Sequence, residues 1–445
     1  MSVVTTYLDQ FDVAPVDQRH QLVRQWMQDD PLTFFRELRE ERPILATPAC
    51  TLVARFDDVI EVLGMPKIFT AALYLPKMSN GIYLMAHDDD ALHTREKSLM
   101  QGLLNRDDLP RVRTMVQRIA TEILAAAAGT MDAIDGYCRL VPATLVQEYF
   151  GLTGIDRRTL IEWSYWNQAD TFYNQPFDIL SDERRREIET RHEQTGRALG
   201  QYITGLIARR FVAVKAEQAE RALFFPLLLV RRLVRRFIGA TAEPLTDDIV
   251  TRMLRTAYPD AVDFNIERVG VNAGGLLIGA IETTSQAVAQ VVQYLLGDVR
   301  LLADAQRAAR ATDVTEFDGI VWEALRFVPI SSYIFRKAAA DVTIAKGTDR
   351  ETTIKAGTIV LALTQSAMFD PRAFERPEQF IPGRNWYRYF HFGFGSHECL
   401  GRYVGMVMIP EMVRQLLLRP SLRAPQPIDY EGGHLPQHYA LTWAA

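Results

Sequence analysis

Apolar and polar residues recur along most of this chain with the 3.6-residue period of helices that bury one face; two shorter regions carry the pattern of strands. Asp30-Pro31 opens LTFFRELREE as an N-capped helix with proline in its first turn, closed by Pro43. Residues 44–56 are β-rich, and DDVIEVLG after them is a short helix. From Pro66 to Asp90 there are scattered aromatics, Gly81 and no period, which predicts a long loop of the kind that often carries function. The acid-started DDDALHTREKSLMQGLL is a helix, and helical periodicity continues through 109–129, 133–152 and 156–173. A further helix is predicted from Ser181-Asp182-Glu183 to about Phe211, and another begins near Asn265 and runs through IERVGVNAGGLLIGAIETTSQAVAQVVQYLL. After Pro329, DVTIA and TTIKAGTIVLAL read as alternating strands.

Composition narrows the class. The chain has 445 residues, 48% hydrophobic and 24% charged, with a net charge of −5, so it is globular and has no global positive field for nucleic acid. Its three cysteines, Cys50, Cys138 and Cys399, lie far apart without metal-finger spacing, which fits a reducing compartment. No apolar run is long enough to span a bilayer, and the first twenty residues lack the pattern of a signal peptide. A soluble, cytoplasmic protein is the expectation.

One segment stands apart. Within 212–243, residues 223–238 read LFFPLLLVRRLVRRFI, which on a helix places Val230, Leu233, Val234, Phe237 and Ile238 on one side and Arg231, Arg232, Arg235 and Arg236 on the other. That is either an extra helix packed on the domain with its arginines in water, or an element that touches lipid or forms the mouth of a channel for an apolar substrate.

The chemistry concentrates in YFHFGFGSHECLGRYVGMVM, residues 389–408. Glycines flank one cysteine at the start of an apolar helix, where backbone N–H groups and the helix dipole can stabilise a thiolate, a soft anionic metal ligand. The alternative is an inert buried cysteine in a turn. Upstream, Gly274, Gly275 and Gly279 are costly inside a helix, and Gly279-Ala280-Ile281-Glu282-Thr283-Thr284 follows. There the Thr283 hydroxyl can bond back to the Gly279 carbonyl or turn to a water.

The spacing Phe392-x-x-Gly395-x-His397-x-Cys399-x-Gly401 resembles the haem-binding loop of the cytochrome P-450 family of haem-thiolate monooxygenases, soluble bacterial type. The resemblance implies a mainly α, triangular cytochrome P-450 haem domain with small β-sheets, spanning 30–445 after an N-terminal extension at 1–29. It implies haem b held through Cys399 and O2 as co-substrate. Glu282 and Thr283 would be the catalytic pair that brings in the two protons that reductive O–O cleavage requires. Cofactor contacts are implied for His93, Lys97, Gly279, Ala280, Arg336, Phe392, Gly393, His397, Gly401 and Gly405, with His93, Lys97, Arg336 and His397 toward the propionates. Glu323 and Arg326, three apart on a helix, would form the core salt bridge. Its usual third partner is an arginine where this chain has Gln379, so Gln379, Arg376 or Arg384 is expected to substitute. Pocket candidates are Ile82, Tyr83, Leu84, Gly275, Leu276, Ile330, Ser331, Ser332, Pro436 and Gln437.

The implied reaction hydroxylates or epoxidises a small, apolar, lipid-like organic substrate. Its electrons would come from NAD(P)H through a separate ferredoxin and its reductase, with Arg402 as a docking residue. Two alternatives share most of the motifs. One is a haem-thiolate enzyme of different outcome, such as aryl coupling, desaturation or peroxide-driven oxidation, and the other is a non-catalytic haem-thiolate sensor.

Overall fold

The computed structural model of the chain describes residues 6–88, 90–222, 245–256 and 264–444; the basic amphipathic stretch expected at 223–238 lies outside them. The described residues form a mainly helical body with three small sheets.

Near the N-terminus, helices α1 (Tyr7–Val13) and α2 (Val16–Asp29) pack on α3 (Pro31–Glu41), whose Asp30 cap accepts from the Thr33 N–H. Leu8, Phe11, Trp26, Phe34, Phe35 and Leu38 are buried together against Leu52 and Leu361 of the main sheet. The expected N-terminal extension is thus two helices sealing one face of that sheet. Its order is β1 (Ile44–Ala46), β2 (Thr51–Val53), β8 (Ile359–Ala362), β5 (Ile334–Ala338) and β3 (Phe69–Thr70), with β2 and β8 parallel and the other pairs antiparallel. On its other face lies α4 (Phe56–Gly64), capped by Asp370, whose Oδ2 accepts from the Phe56 N–H. Strands β6 (Val342–Ile344) and β7 (Thr352–Ile354) form a hairpin, and β4 (Thr130–Asp132) pairs with β9 (Ala440–Thr442).

The largest apolar core is helical. In α6 (Leu109–Ala126), Val112, Val116, Ile119, Ala120 and Leu124 recur at helical spacing and are buried, chiefly against α16 (Arg402–Leu417). Helices α5 (Ala91–Leu103), α7 (Leu140–Leu145), α8 (Arg157–Tyr173), α9 (Asp182–Ala222) and α10 (Ile249–Arg255) surround a long central pair, α11 (Ile266–Ala280) and α12 (Glu282–Leu296). Helices α13 (Val299–Ala309), α14 (Thr315–Phe327) and α15 (Thr364–Met368) complete the body.

Four local expectations need correction. The helix expected to end near Phe211 continues to Ala222. The long loop of 66–90 contains β3, which pairs with β5, and two segments of tight helical turn at Ala72–Lys77 and Leu84–Ala86. Residues 133–152 are not one regular helix: the turns on either side of α7 are wider, as in the bond from the Arg139 N–H to the Ile134 carbonyl. The helix expected from Asn265 is interrupted at Ile281, with φ −86° and ψ −65°.

Candidate functional site

Cys399 is delivered by a loop whose shape its glycines allow. Gly393 and Gly395 adopt φ of 77° and 71°, in the left-handed region that side chains resist. The Cys399 N–H donates to the Phe392 carbonyl at 2.8 Å, and the thiol faces a cavity at the foot of α16. Burial raises the thiol's pKa, against which the Gly401 N–H bonded to its sulfur and the nearby Lys97 charge both favour the thiolate. Gly405 lines the same cavity; the room it leaves is taken by the Phe392 ring, which a Cβ there would meet at 2.8 Å.

Another wall of the cavity is α11 and the start of α12. Gly275, Leu276, Gly279, Ala280 and Thr283 all line it. The Thr283 hydroxyl donates to the Gly279 carbonyl at 2.6 Å across the interruption. Gly274 and Gly279 leave open space, whereas the room at Gly275 is filled by Tyr83, whose ring lies 2.3 Å from where a Cβ would stand. Glu282 does not line the cavity. It is 1% exposed and turned to Arg139, whose Nε lies 3.0 and 3.1 Å from its two oxygens. Burial pushes the Glu282 carboxyl up to about 7 against the pull of that arginine. Arg139 bonds at the same time to Asp135, at 2.7 Å and 72% exposed, and to the Pro436 carbonyl at 2.9 Å. Nothing local in the sequence pointed to Arg139, which stands 143 residues from its partner.

The cationic candidates gather beside the cysteine loop in two groups. Arg336 and His397 line the cavity. Arg336 donates to the Phe335 carbonyl at 2.8 Å and to the Tyr74 hydroxyl oxygen. Burial depresses the His397 pKa to about 4, leaving a neutral ring bonded to the His87 carbonyl at 2.8 Å. His93 and Lys97 sit behind the wall. His93 bonds to the Leu84 and Ser396 carbonyls at 2.8 and 3.0 Å and stacks on His397 at 4.5 Å. Lys97 donates to the Ser396 and Glu398 carbonyls, so this helix face, read as facing the cofactor, clamps the cysteine loop.

Glu323 and Arg326 form a buried pair at 2.8 Å. The third partner is Arg384, with Nε 3.1 Å from Glu323 Oε1; the Tyr389 hydroxyl and the Ile381 N–H also donate to Glu323. Gln379 supplies only its backbone carbonyl, which accepts from Arg326 and Arg384. Phe369 packs under Arg326, whose guanidinium carbon lies 4.3 Å from the ring centroid. Arg402, the expected docking residue, is tied to Glu398 and lies over Trp386 and Tyr403.

The cavity measures about 1140 Å³. Of the pocket candidates, Tyr83, Gly275, Leu276, Ile330 and Ser331 line it and five do not. Leu84 is fully buried in the main core, and Ile82 is half-exposed with its carbonyl taken by Arg268. The Ser332 carbonyl accepts from the Gln365 N–H, off the wall. Pro436 faces Arg139, and the Gln437 amide is held by Tyr165 and the Leu435 carbonyl. Much of the wall comes instead from α8 and α9, through Gln168, Thr171, Phe172, Leu199, Ile203 and Phe211, whose helical spacing is indistinguishable from ordinary core packing in the sequence.

These donors suit iron protoporphyrin, with a soft sulfur for the metal, glycine and apolar surface for the faces of the ring, and Arg336 and His397 for its edge. The class so defined is haem-thiolate. The family model described as Cytochrome P450 matches residues 241–431. Over 381 residues the chain is 26% identical to cyclomarin C epoxidase CymV of Salinispora arenicola, covering 83% of each. Over 405 residues it is 25% identical to the cytochrome P450 monooxygenase PikC of Streptomyces venezuelae, covering 88% of this chain and 84% of that one. Among solved structures it resembles cytochrome P450 CYP109Q5 from Chondromyces apiculatus, with a TM-score of 0.72 and 19% identity over 94% of this chain and 96% of that one. By these matches the chain is similar, over more than four fifths of its length, to cytochrome P450 monooxygenases, which are oxidoreductases. Among the described residues, no helix is long and apolar enough to cross a membrane.

Proposed function

We propose that the protein hydroxylates or epoxidises a largely apolar organic molecule in this cavity, with Cys399 as the residue that would hold a haem and with Thr283 and Glu282 managing protons. The observation that carries this reading is that Cys399 and Thr283 line one cavity while Glu282, the next residue, points away from it into a charged path to the surface. Haem, when bound, supplies the reductive activation of O2. Cys399 would hold it, the Gly401 N–H favouring the thiolate, with Arg336 and His397 at its edge.

The chain's own contribution is to exclude water and to hold protons at defined atoms. Apolar side chains dominate the distal wall, which includes Leu276, Ile278 and Ile330. The Thr283 hydroxyl proton rests on the Gly279 carbonyl and is free to turn toward a water in the cavity. Glu282, with its carboxyl near 7, can both bind and release a proton at neutral pH, and Arg139 joins it to the exposed Asp135. Inserting one oxygen atom while reducing the other to water consumes two electrons and two protons. In this reading the electrons come from NAD(P)H through a ferredoxin and its reductase.

The test is turnover under isotopically labelled O2 with a surrogate ferredoxin and reductase, on a substrate found by optical titration. One labelled atom in product and one in water, with Thr283→Ala diverting electrons to peroxide, is the expected result. Turnover sustained by peroxide alone, and none with the ferredoxin system, would overturn it.

A further inference from the structure

We infer that the cavity selects a mostly apolar molecule bearing one neutral hydrogen-bond donor (a carboxamide or hydroxyl) and that Gln168 of α8 is the specificity residue that meets it. The inference rests on the reading of this cavity as a substrate chamber.

Helix α8 turns an unusual face inward. Ser164, Asn167, Gln168 and Thr171 lie at i, i+3, i+4 and i+7, and all four are buried. A helix normally buries its apolar stripe, so polar residues placed there need partners. Two of them have partners inside the fold. Ser164 Oγ lies 3.4 Å from the Ile278 carbonyl, and Asn167 donates to the Trp163 carbonyl at 2.8 Å. Gln168 differs: it is 3% exposed, it lines the cavity, and its Oε1 has no hydrogen-bond partner among the described residues. A buried amide left unpaired is costly, and a hydrophobic side chain of similar size would avoid that cost. Thr171, one turn on, lines the same wall and offers a hydroxyl beside it.

The charges nearby favour a neutral partner. Lys77 lines this cavity, but its Nζ is 2.9 Å from Asp170 Oδ1, and Asp170 also accepts from Asn174 at 2.7 Å. Arg336 is bonded to the Phe335 carbonyl and Tyr74, and the exposed Glu267 adds negative charge to the wall. Among the described residues, a substrate carboxylate would therefore meet no uncommitted cation. A hydrocarbon would leave the Gln168 amide oxygen unpaired, and a neutral donor satisfies it without a charge to bury.

The test compares decanamide, decanoate and decane by optical titration of the haem-loaded protein, alongside the melting temperature of Gln168→Leu. Decanamide is expected to bind at least tenfold more tightly than either analogue. Gln168→Leu should lose that preference, keep its affinity for decane, and melt no lower than the parent chain, because the replaced amide oxygen has no partner among the described residues. Four results would each overturn the inference: decanoate binding tightest, the preference surviving in Gln168→Leu, that variant melting lower, or no response to any probe by protein whose reduced carbon monoxide spectrum is that of a thiolate haem. Absence of that spectrum would instead count against the haem-thiolate reading of the site.

Discussion

Arg139 grips both oxygens of Glu282 through one nitrogen, at 3.0 and 3.1 Å, inside the protein, and reaches out at the same time to the exposed Asp135. A buried carboxylate in that position is both secured and connected to solvent. The sign of its pH effect follows from burial, which raises its pKa from 4.5 to about 7. Below that value the folded protein keeps a proton on Glu282, and above it the carboxylate is fixed to Arg139. Turnover limited by proton delivery is therefore expected to fall as pH rises through about 7, and Glu282→Gln should be slower with a flat profile. Steady-state rates from pH 6 to 8.5 check this.

The same shift has a consequence for stability. Between pH 4.5 and about 7 the folded state holds a proton that the unfolded chain has lost, so stability drains away as pH rises through that window. Relative to the parent, Glu282→Gln should gain on going from pH 5 to pH 8, by no more than about 3 kcal/mol. Denaturant unfolding at the two pH values measures the difference.

Glu323 is met by Arg326, Arg384, Tyr389 and the Ile381 backbone, all within the fold. Removing its charge leaves two cations facing a neutral amide, so Glu323→Gln should destabilise the protein by about 3 kcal/mol or more. Gln379→Ala should fall within roughly 0.5 kcal/mol of the parent, because only its backbone carbonyl takes part. Thermal melts of the two variants separate these roles.

What could be read in the sequence was local. The cysteine loop, the Gly279 to Thr284 stretch and the Glu323–Arg326 spacing are short patterns whose chemistry is set by neighbours three or four residues away. The structure brings Cys399, Phe392, Thr283 and Arg336 to one cavity. The missed features depend on distant pairing. Arg139 meets Glu282 only because the wide turn at Ile134–Cys138, just before it, packs beside α12, and Arg384 replaces an arginine expected at Gln379 because the chain folds back on Glu323. Helices α1 and α2 gave little signal because their burial is decided by the sheet they cover. His93 and Lys97 were placed on the right face of α5, but carbonyls of the cysteine loop occupy that face.

The glycines of α11 separate by what they face. A methyl group at Gly275 would lie 2.3 Å from Tyr83, so Gly275→Ala should cost about 1–3 kcal/mol and shift the ring into the cavity. Gly274 has open space, so Gly274→Ala should stabilise by about 0.5–1 kcal/mol through helix propensity. Melting curves of the two variants, which differ by one residue position, distinguish tertiary fit from propensity.

The central claim is that Cys399 provides the thiolate that binds haem iron at this site. The most direct measurement is the absorption spectrum of the reduced, carbon monoxide-bound protein for the parent and for Cys399→His. The parent should show the long-wavelength Soret band of a thiolate-ligated haem, and the variant should show the shorter-wavelength band of imidazole ligation. A thiolate-type band that persists without Cys399, or its absence from a haem-replete parent, would contradict the assignment.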